Sequence, residues 1–325
     1  MNKKFLPLLM TASLFVLLFI SGAIEYPGFG SLRVFFNLFT DNSFLAITAI
    51  GMTFVIISGG IDLSVGAVMA LSGVVCAILI EKLGLPPLLV FPIVLVGGCA
   101  FGAAMGYLIQ YYELPPFIVT LAGMFFARGL ATVLSEQSIP ITDPIYSSIN
   151  NFGFMLPGRA FVGTFTLVLF GVLAWAVWLA HFTRFGGYIY ALGGSRRSAE
   201  LMGIPCARVT VSIYAISGTL SALAGIVFSF YTSAGYALAA MGTELDTIAA
   251  VVIGGTLLSG GYGYVAGTIL GVMVMGLMQT WISFNGSLSS WWTKIAIGTL
   301  LLIFIVLQQA LNSEKIAKII RSRRK

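Results

Sequence analysis

Charge is scarce in this chain. Only 9% of its 325 residues are Asp, Glu, Lys or Arg, against 58% that are hydrophobic. Soluble domains carry about 25% charged residues, so a water-facing globule of this length lacks the ions to cover its surface. A lipid bilayer is the solvent in which such a composition is stable. Histidine and cysteine are nearly missing too. One histidine, His181, and three scattered cysteines, Cys76, Cys99 and Cys206, exclude a disulfide framework or a metal cluster. Cys76 and Cys99 lie in apolar runs, where a thiol behaves as a small hydrophobe. His181 closes an apolar run, as a polar tip at the interface does. No H-E-x-x-H, C-x-x-C, G-x-S-x-G or G-x-x-x-x-G-K-[ST] occurs, so the chain is not expected to be an enzyme or to cradle a nucleotide phosphate itself. The net charge of +6 is not gathered into one patch, which argues against nucleic acid as a partner.

What is abundant is apolar length. Ten runs read as transmembrane helices: 5–24, 43–60, 63–80, 87–109, 116–134, 162–181, 210–230, 246–259, 265–284 and 293–310. The first follows Lys3 and Lys4 and lacks a small-residue cleavage site, so it reads as a retained span. Pro86-Pro87 and Pro115-Pro116 open the fourth and fifth runs, where a missing N–H costs least. The expected fold is an all-α membrane protein forming a single transmembrane domain over 1–325. It comprises the first span, a first block over 43–134, an outer loop over 135–161, a polar loop over 182–209, a second block over 210–310 and a basic tail over 311–325.

Ten spans place both termini on one side. Twelve of the seventeen Lys and Arg residues fall there: Lys3, Lys4, Arg184, Arg196, Arg197, Arg208 and six between Lys315 and Lys325. Arg33, Lys82, Arg159 and Lys294 fall opposite, and Arg128 lies within a span. The positive-inside rule then puts both termini in the cytoplasm. Trp291 and Trp292 fit an aromatic belt at the outer interface.

Two glycine ladders recur at every fourth residue: Gly98, Gly102 and Gly106 in the fourth run, Gly263, Gly267 and Gly271 in the ninth. Such faces let helices approach closely in lipid. Each falls in the third span of a four-span block, which suggests inverted repeats over spans 2–5 and 7–10, with the pathway near their interface.

Ionisable groups near the spans are few enough to weigh singly, because each costs about 2.5–3.5 kcal/mol at the centre of a span. Asp62 follows Gly59-Gly60-Ile61 and precedes Leu63-Ser64. It reads as a helix cap or as part of a broken helix lining a polar cavity. Arg128 lies about 9 Å from the outer end of the fifth span at helical rise, and either snorkels outward or faces the pathway. Glu244 and Asp246 open the eighth span with capping-box spacing from Thr243, or meet a solute from outside beside Tyr231 and Tyr236. Thr53, Ser64 and Thr120 complete the list of pathway candidates. In the loop 182–209, Ser195 is placed to cap a short helix over Arg196–Met202, closed by Gly203 and Pro205. So short and basic a helix implies docking, to headgroups or to a partner.

At this loop the chain resembles the permease subunits of bacterial ABC importers for monosaccharides, the ribose-type family, over nearly its whole length. The strings that carry the resemblance are Gly51-Met-Thr-Phe-Val-Ile-Ile-Ser-Gly-Gly-Ile-Asp-Leu-Ser-Val-Gly66, Pro116-Phe-Ile-Val-Thr-Leu-Ala-Gly-Met-Phe-Phe-Ala-Arg-Gly129 and Ser198-Ala-Glu-Leu-Met-Gly-Ile204. A fourth is Arg184-Phe-Gly-Gly-Tyr-Ile-Tyr-Ala-Leu-Gly-Gly194, and a fifth is Glu244-Leu-Asp-Thr-Ile-Ala-Ala-Val-Val-Ile-Gly-Gly-Thr-Leu-Leu-Ser-Gly-Gly261. Within the family it is most similar to permeases of galactofuranose importers, through Ser138-Ile-Pro-Ile141 and Gly286-Ser-Leu-Ser-Ser-Trp-Trp-Thr-Lys-Ile-Ala-Ile-Gly298. The resemblance implies an ABC ATPase that consumes ATP and Mg, a periplasmic sugar-binding protein, and a second, different permease subunit in the bacterial inner membrane. No cofactor is expected on this chain itself. It also makes Arg184, Arg196, Arg197, Glu200 and Gly203 the ATPase-coupling candidates. The competing expectation is an ion-coupled secondary transporter of a small polar solute.

Overall fold

The computed structural model describes residues 6–289 and 291–312; Lys3, Lys4 and the basic residues from Lys315 to Lys325 lie outside them. Helices account for the architecture. They are α1 (Leu6–Glu25), α2 (Leu32–Asp41), α3 (Ser43–Ile57), α4 (Val65–Ala77, continued by a π-turn over Ile78–Lys82), α5 (Pro87–Tyr111), α6 (Pro116–Leu134) and α7 (Pro144–Asn151). There follow α8 (Thr164–Phe182), α9 (Arg184–Gly194), α10 (Arg196–Leu201), α11 (Cys206–Thr232), α12 (Thr243–Ile253), α13 (Val265–Asn285) and α14 (Trp291–Asn312). Two small antiparallel pairs lie outside the helices. β1 (Ile139–Pro140) pairs with β4 (Ala234–Gly235), and β2 (Gly153–Leu156) with β3 (Ala160–Gly163).

Every predicted apolar run contains a helix, so the all-α membrane fold stands, but the runs are not equivalent. Among the described residues eight helices are each long and apolar enough to cross a membrane, or nine if the bent pair α2–α3 forms one span. The helix of the eighth run, α12, has only 11 residues, about 16 Å of rise against about 30 Å of hydrocarbon. Its predicted range ran to 259, yet the helix stops at Ile253. α3 stops at Ile57 rather than 60. Both end in the same way. The N–H groups of Ser58, Gly59 and Gly60 return to the carbonyls of Phe54, Ile56 and Val55; those of Gly254, Gly255 and Thr256 return to Ala250, Val252 and Val251. Gly59 and Gly255 sit at φ 86° and 93°, the left-handed turn that closes a helix and that glycine adopts without a Cβ clash.

Burial sorts the helices into a core and a shell. α3, α4, α11, α12 and α13 carry most of the buried side chains. α1, α5, α6 and α14 turn Leu17, Val96, Phe125, Val133 and Leu302 outward, as helices facing lipid do. The first ladder works as predicted for close approach. A Cβ on Gly98 would lie 2.5 Å from the Ala222 methyl, and one on Gly102 would collide with the Tyr214 carbonyl, so α5 beds directly on α11. The second ladder differs. Gly267 and Gly271 abut Gly254 and Ala250 of α12, while Gly263 lies before α13 begins and packs on Thr256. One ladder therefore joins the two blocks and the other works inside the second block.

Candidate functional site

Asp62 lies in the non-helical break between α3 and α4. Its Oδ1 accepts from the Ser64 N–H at 2.9 Å and from Ser64 Oγ at 2.6 Å; its Oδ2 accepts from Ser217 Oγ on α11 at 2.7 Å. The residue is fully enclosed. Ser64, not Asp62, stands at the N-cap of α4, so the carboxylate props the cap from two residues upstream. The Ile61 carbonyl receives the Tyr214 hydroxyl from α11 and the Thr120 hydroxyl from α6, each at 3.4 Å. Thr53 meets Thr268 of α13 at 2.7 Å. These side chains are all enclosed: they hold the break in place rather than line an open space in this conformation.

The second break, residues 254–264, meets the first. The Gly261 N–H donates to the Ile57 carbonyl at 2.8 Å. A Cβ on Gly260 would sit 2.9 Å from Gly59 Cα, and one on Gly261 would sit 2.9 Å from Gly194 Cα. A Cβ on Gly193 would collide with the Ile57 carbonyl. The end of α9 thus completes a three-way glycine junction, reinforced by the Tyr190 hydroxyl donating to the Gly263 carbonyl at 2.8 Å. His181 lies over Tyr190 and Tyr264 beside it.

Two residues beyond this junction α10 starts. Ser195 caps it as predicted, accepting from the Ser198 N–H at 3.3 Å, and Gly203 ends it at φ 77°. The helix finishes at Leu201, one residue earlier than expected. Arg196 reaches Glu200 at 3.1 Å and Gln110 of α5 at 2.8 Å. Arg184 and Arg197 are exposed, and Leu201 and Met202 are 84% and 68% exposed. Bare apolar side chains beside exposed arginines form the kind of mixed surface that a protein partner covers.

Towards the other end, Arg128 binds backbone carbonyls of a neighbouring segment. Its guanidinium donates to the carbonyls of Ala237 and Ala239, both at 2.6 Å. It thereby pins the non-helical chain 236–242 that leads from β4 to α12. The expected capping box at Thr243 is not formed: Gly242 occupies the N-cap at φ 82° with no side-chain cap. Asp246 instead pairs with Lys294 of α14 at 2.6 Å. Glu244 Oε2 is buried without a hydrogen-bond partner and faces Gly66, where a Cβ would lie 2.6 Å from it. Both carboxylates occupy the first turn of α12, where the helix dipole favours them. Tyr231 reaches Asp41 rather than either of them. Sequence reasoning passed over Ser217 and Tyr214, since nothing local distinguishes them from other small or aromatic residues in a span; Tyr190 and Gly193 entered only within a string shared with the family, with no role of their own.

A family model described as the permease component of a branched-chain amino acid transport system matches residues 34–305. The chain belongs to the permease family of ribose-type ABC importers. It is 56% identical over 312 residues to the inner membrane ABC transporter permease protein YjfF of Escherichia coli strain K12, covering 96% of this chain and 94% of the relative. It is 37% identical to the fructose import permease protein FruG of Bifidobacterium longum, covering 95% and 92%. It is 38% identical to the ribose import permease protein RbsC of Bacillus subtilis, covering 91% and 90%. No solved structure matches. Its many apolar helices and these relatives make the chain a multi-pass protein of the inner membrane.

Proposed function

We propose that this chain is the membrane-spanning permease of an ATP-driven importer that carries a monosaccharide, galactofuranose, from periplasm to cytoplasm. Relatives named for ribose and fructose import support the sugar class. The observation that carries the mechanism is the glycine junction. α10 is joined through Gly193 and Gly194 to both intramembrane breaks, with no side chain between the backbones. Movement of a docked ATPase against α10 then shifts the ends of α3 and α12 together. Flexible contacts would absorb such a push; a backbone junction transmits it, because packed interfaces switch between discrete arrangements rather than deform continuously.

On this reading the basic end of the bundle, with Arg184, Arg196, Arg197 and Arg208, faces the cytoplasm, in keeping with the positive-inside rule. ATP and Mg belong to a separate ATPase, a periplasmic binding protein delivers the sugar, and a second, different permease completes the pathway. The test is reconstitution in vesicles with and without the ATPase and binding protein, offering galactofuranose, galactopyranose and ribose. ATP-dependent uptake of galactofuranose only with all components present is the expected result. Uptake driven by an ion gradient through this chain alone refutes the reading.

A further inference from the structure

At the end opposite α10 the bundle opens into a cleft of about 450 Å³ between α2, the start of α3, the end of α11 and α13. Its composition is unusual for a membrane helix bundle. On α13, Ser283 neighbours Gln279 at i, i+4 and Thr280 at i, i+3, and all three border the cleft. Opposite stand Asn37, Asp41 and Asn42. Polar side chains in a span that faced lipid would be costly; here they border open space. Thr280 and Ser283 satisfy their hydroxyls on their own helix, at the Gly276 and Gln279 carbonyls. The Asn37 and Gln279 amides are exposed and make no hydrogen bond among the described residues. Asn42, bonded to the Leu38 carbonyl at 2.9 Å, is buried against Gly276, where a Cβ would lie 2.8 Å from its Cγ. That close approach fixes α3 to α13 and makes the floor rigid.

From this lining we infer that the cleft is a binding site for one neutral monosaccharide, resting on the importer reading above. Two free amides and the Asp41 carboxylate offer paired donors and acceptors, which match vicinal hydroxyls. Phe44, Tyr231 and Phe284 supply aromatic walls for the apolar face of a sugar ring. Among the described residues no cation lines the cleft, so anionic solutes find no counter-charge there. The volume lies within the about 300–1,000 Å³ of small-molecule sites.

The experiment uses the full chain in lipid nanodiscs with Cys99 replaced by serine, so that S283C is the added exposed thiol. A charged methanethiosulfonate reagent is applied with and without saturating galactofuranose or ribose, and with inorganic phosphate as the control. At least fivefold slower labelling with sugar, and none with phosphate, is expected. Q279L and N37L, at side chains with no structural bond to lose, each weaken binding of radiolabelled sugar to the nanodisc about tenfold, equivalent to about 1.4 kcal/mol. Equal labelling rates with and without sugar, slowing by phosphate, or wild-type affinity in both leucine variants overturns the site. A lone carboxylate could instead attract a cation; slowing by sodium but not by sugar would show that and also overturn it. Failure of ATP-driven uptake by the complete system removes the importer reading instead, and leaves the protection result to stand or fall by itself.

Discussion

Asp62 offers the sharpest test of how the intramembrane break is built. Its carboxylate accepts three hydrogen bonds, from the Ser64 N–H, Ser64 Oγ and Ser217 Oγ, in a fully enclosed site. Replacing it with alanine strands three buried donors, each costing about 1–3 kcal/mol unpartnered. The three share one network, so their costs do not add, and about 2–4 kcal/mol is expected from the stranded neutral donors. Asparagine is a different perturbation. Its oxygen keeps both Ser64 bonds, and its amide nitrogen donates to a Ser217 hydroxyl that has rotated to accept, leaving about 1 kcal/mol of loss. D62A and D62N therefore separate widely in stability if the residue is a strut. Thermal denaturation of the purified protein in detergent measures this, with uptake normalised to inserted protein. In a cycle with S217A, the two sites should couple by about 1–2 kcal/mol, as contacting residues do. A wild-type denaturation midpoint for D62A, with uptake abolished in both variants, would refute the reasoning and return Asp62 to the pathway.

Further outcomes follow from the same geometry. G193V drives a branched side chain into the Ile57 carbonyl; it should cost about 1–3 kcal/mol as overpacking does and lower sugar uptake more than ATPase activity in the reconstituted system. R128M removes both bonds to the 236–242 chain, so a cysteine placed at Ala239 should become several-fold more reactive to a membrane-impermeant thiol reagent while the helices persist by circular dichroism. The triple variant R196A/R197A/E200A should leave insertion normal and uncouple hydrolysis from transport; undiminished uptake removes α10 from the mechanism. D246N should cost under about 1 kcal/mol, because the Lys294 pair is exposed and solvent-screened, and a cycle with K294M that gives more would show a shielded pair.

Much of the site could not be read locally even where the residue was picked out. Asp62 was recognisable because a charge in an apolar run is rare, but its choice between cap and cavity depended on Ser217, 155 residues away. Arg128 stood out for the same reason; its real partners, the Ala237 and Ala239 carbonyls, are backbone atoms with no sequence signature. The amphipathic α2 and the glycine-containing α9 were both missed. α2 is too short to register as a span, and the four glycines of α9 argue against a helix by propensity, although Gly186 and Gly193 are required there by the close approach of Ala180 and Ile57.

What the sequence alone determined was the solvent, the set of apolar runs and the short capped helix at Ser195. Hydropathy is a sum over a local window and a cap is a bond between neighbours, so both are written within a few residues. The tertiary structure decided that two of those runs stop short, that their breaks meet through Gly59 and Gly260 with Gly194 of α9 against Gly261, and that a polar cleft opens between α2 and α13. Those facts rest on which distant backbones come close enough to touch. Only the packed bundle, balancing every span against its neighbours, sets that.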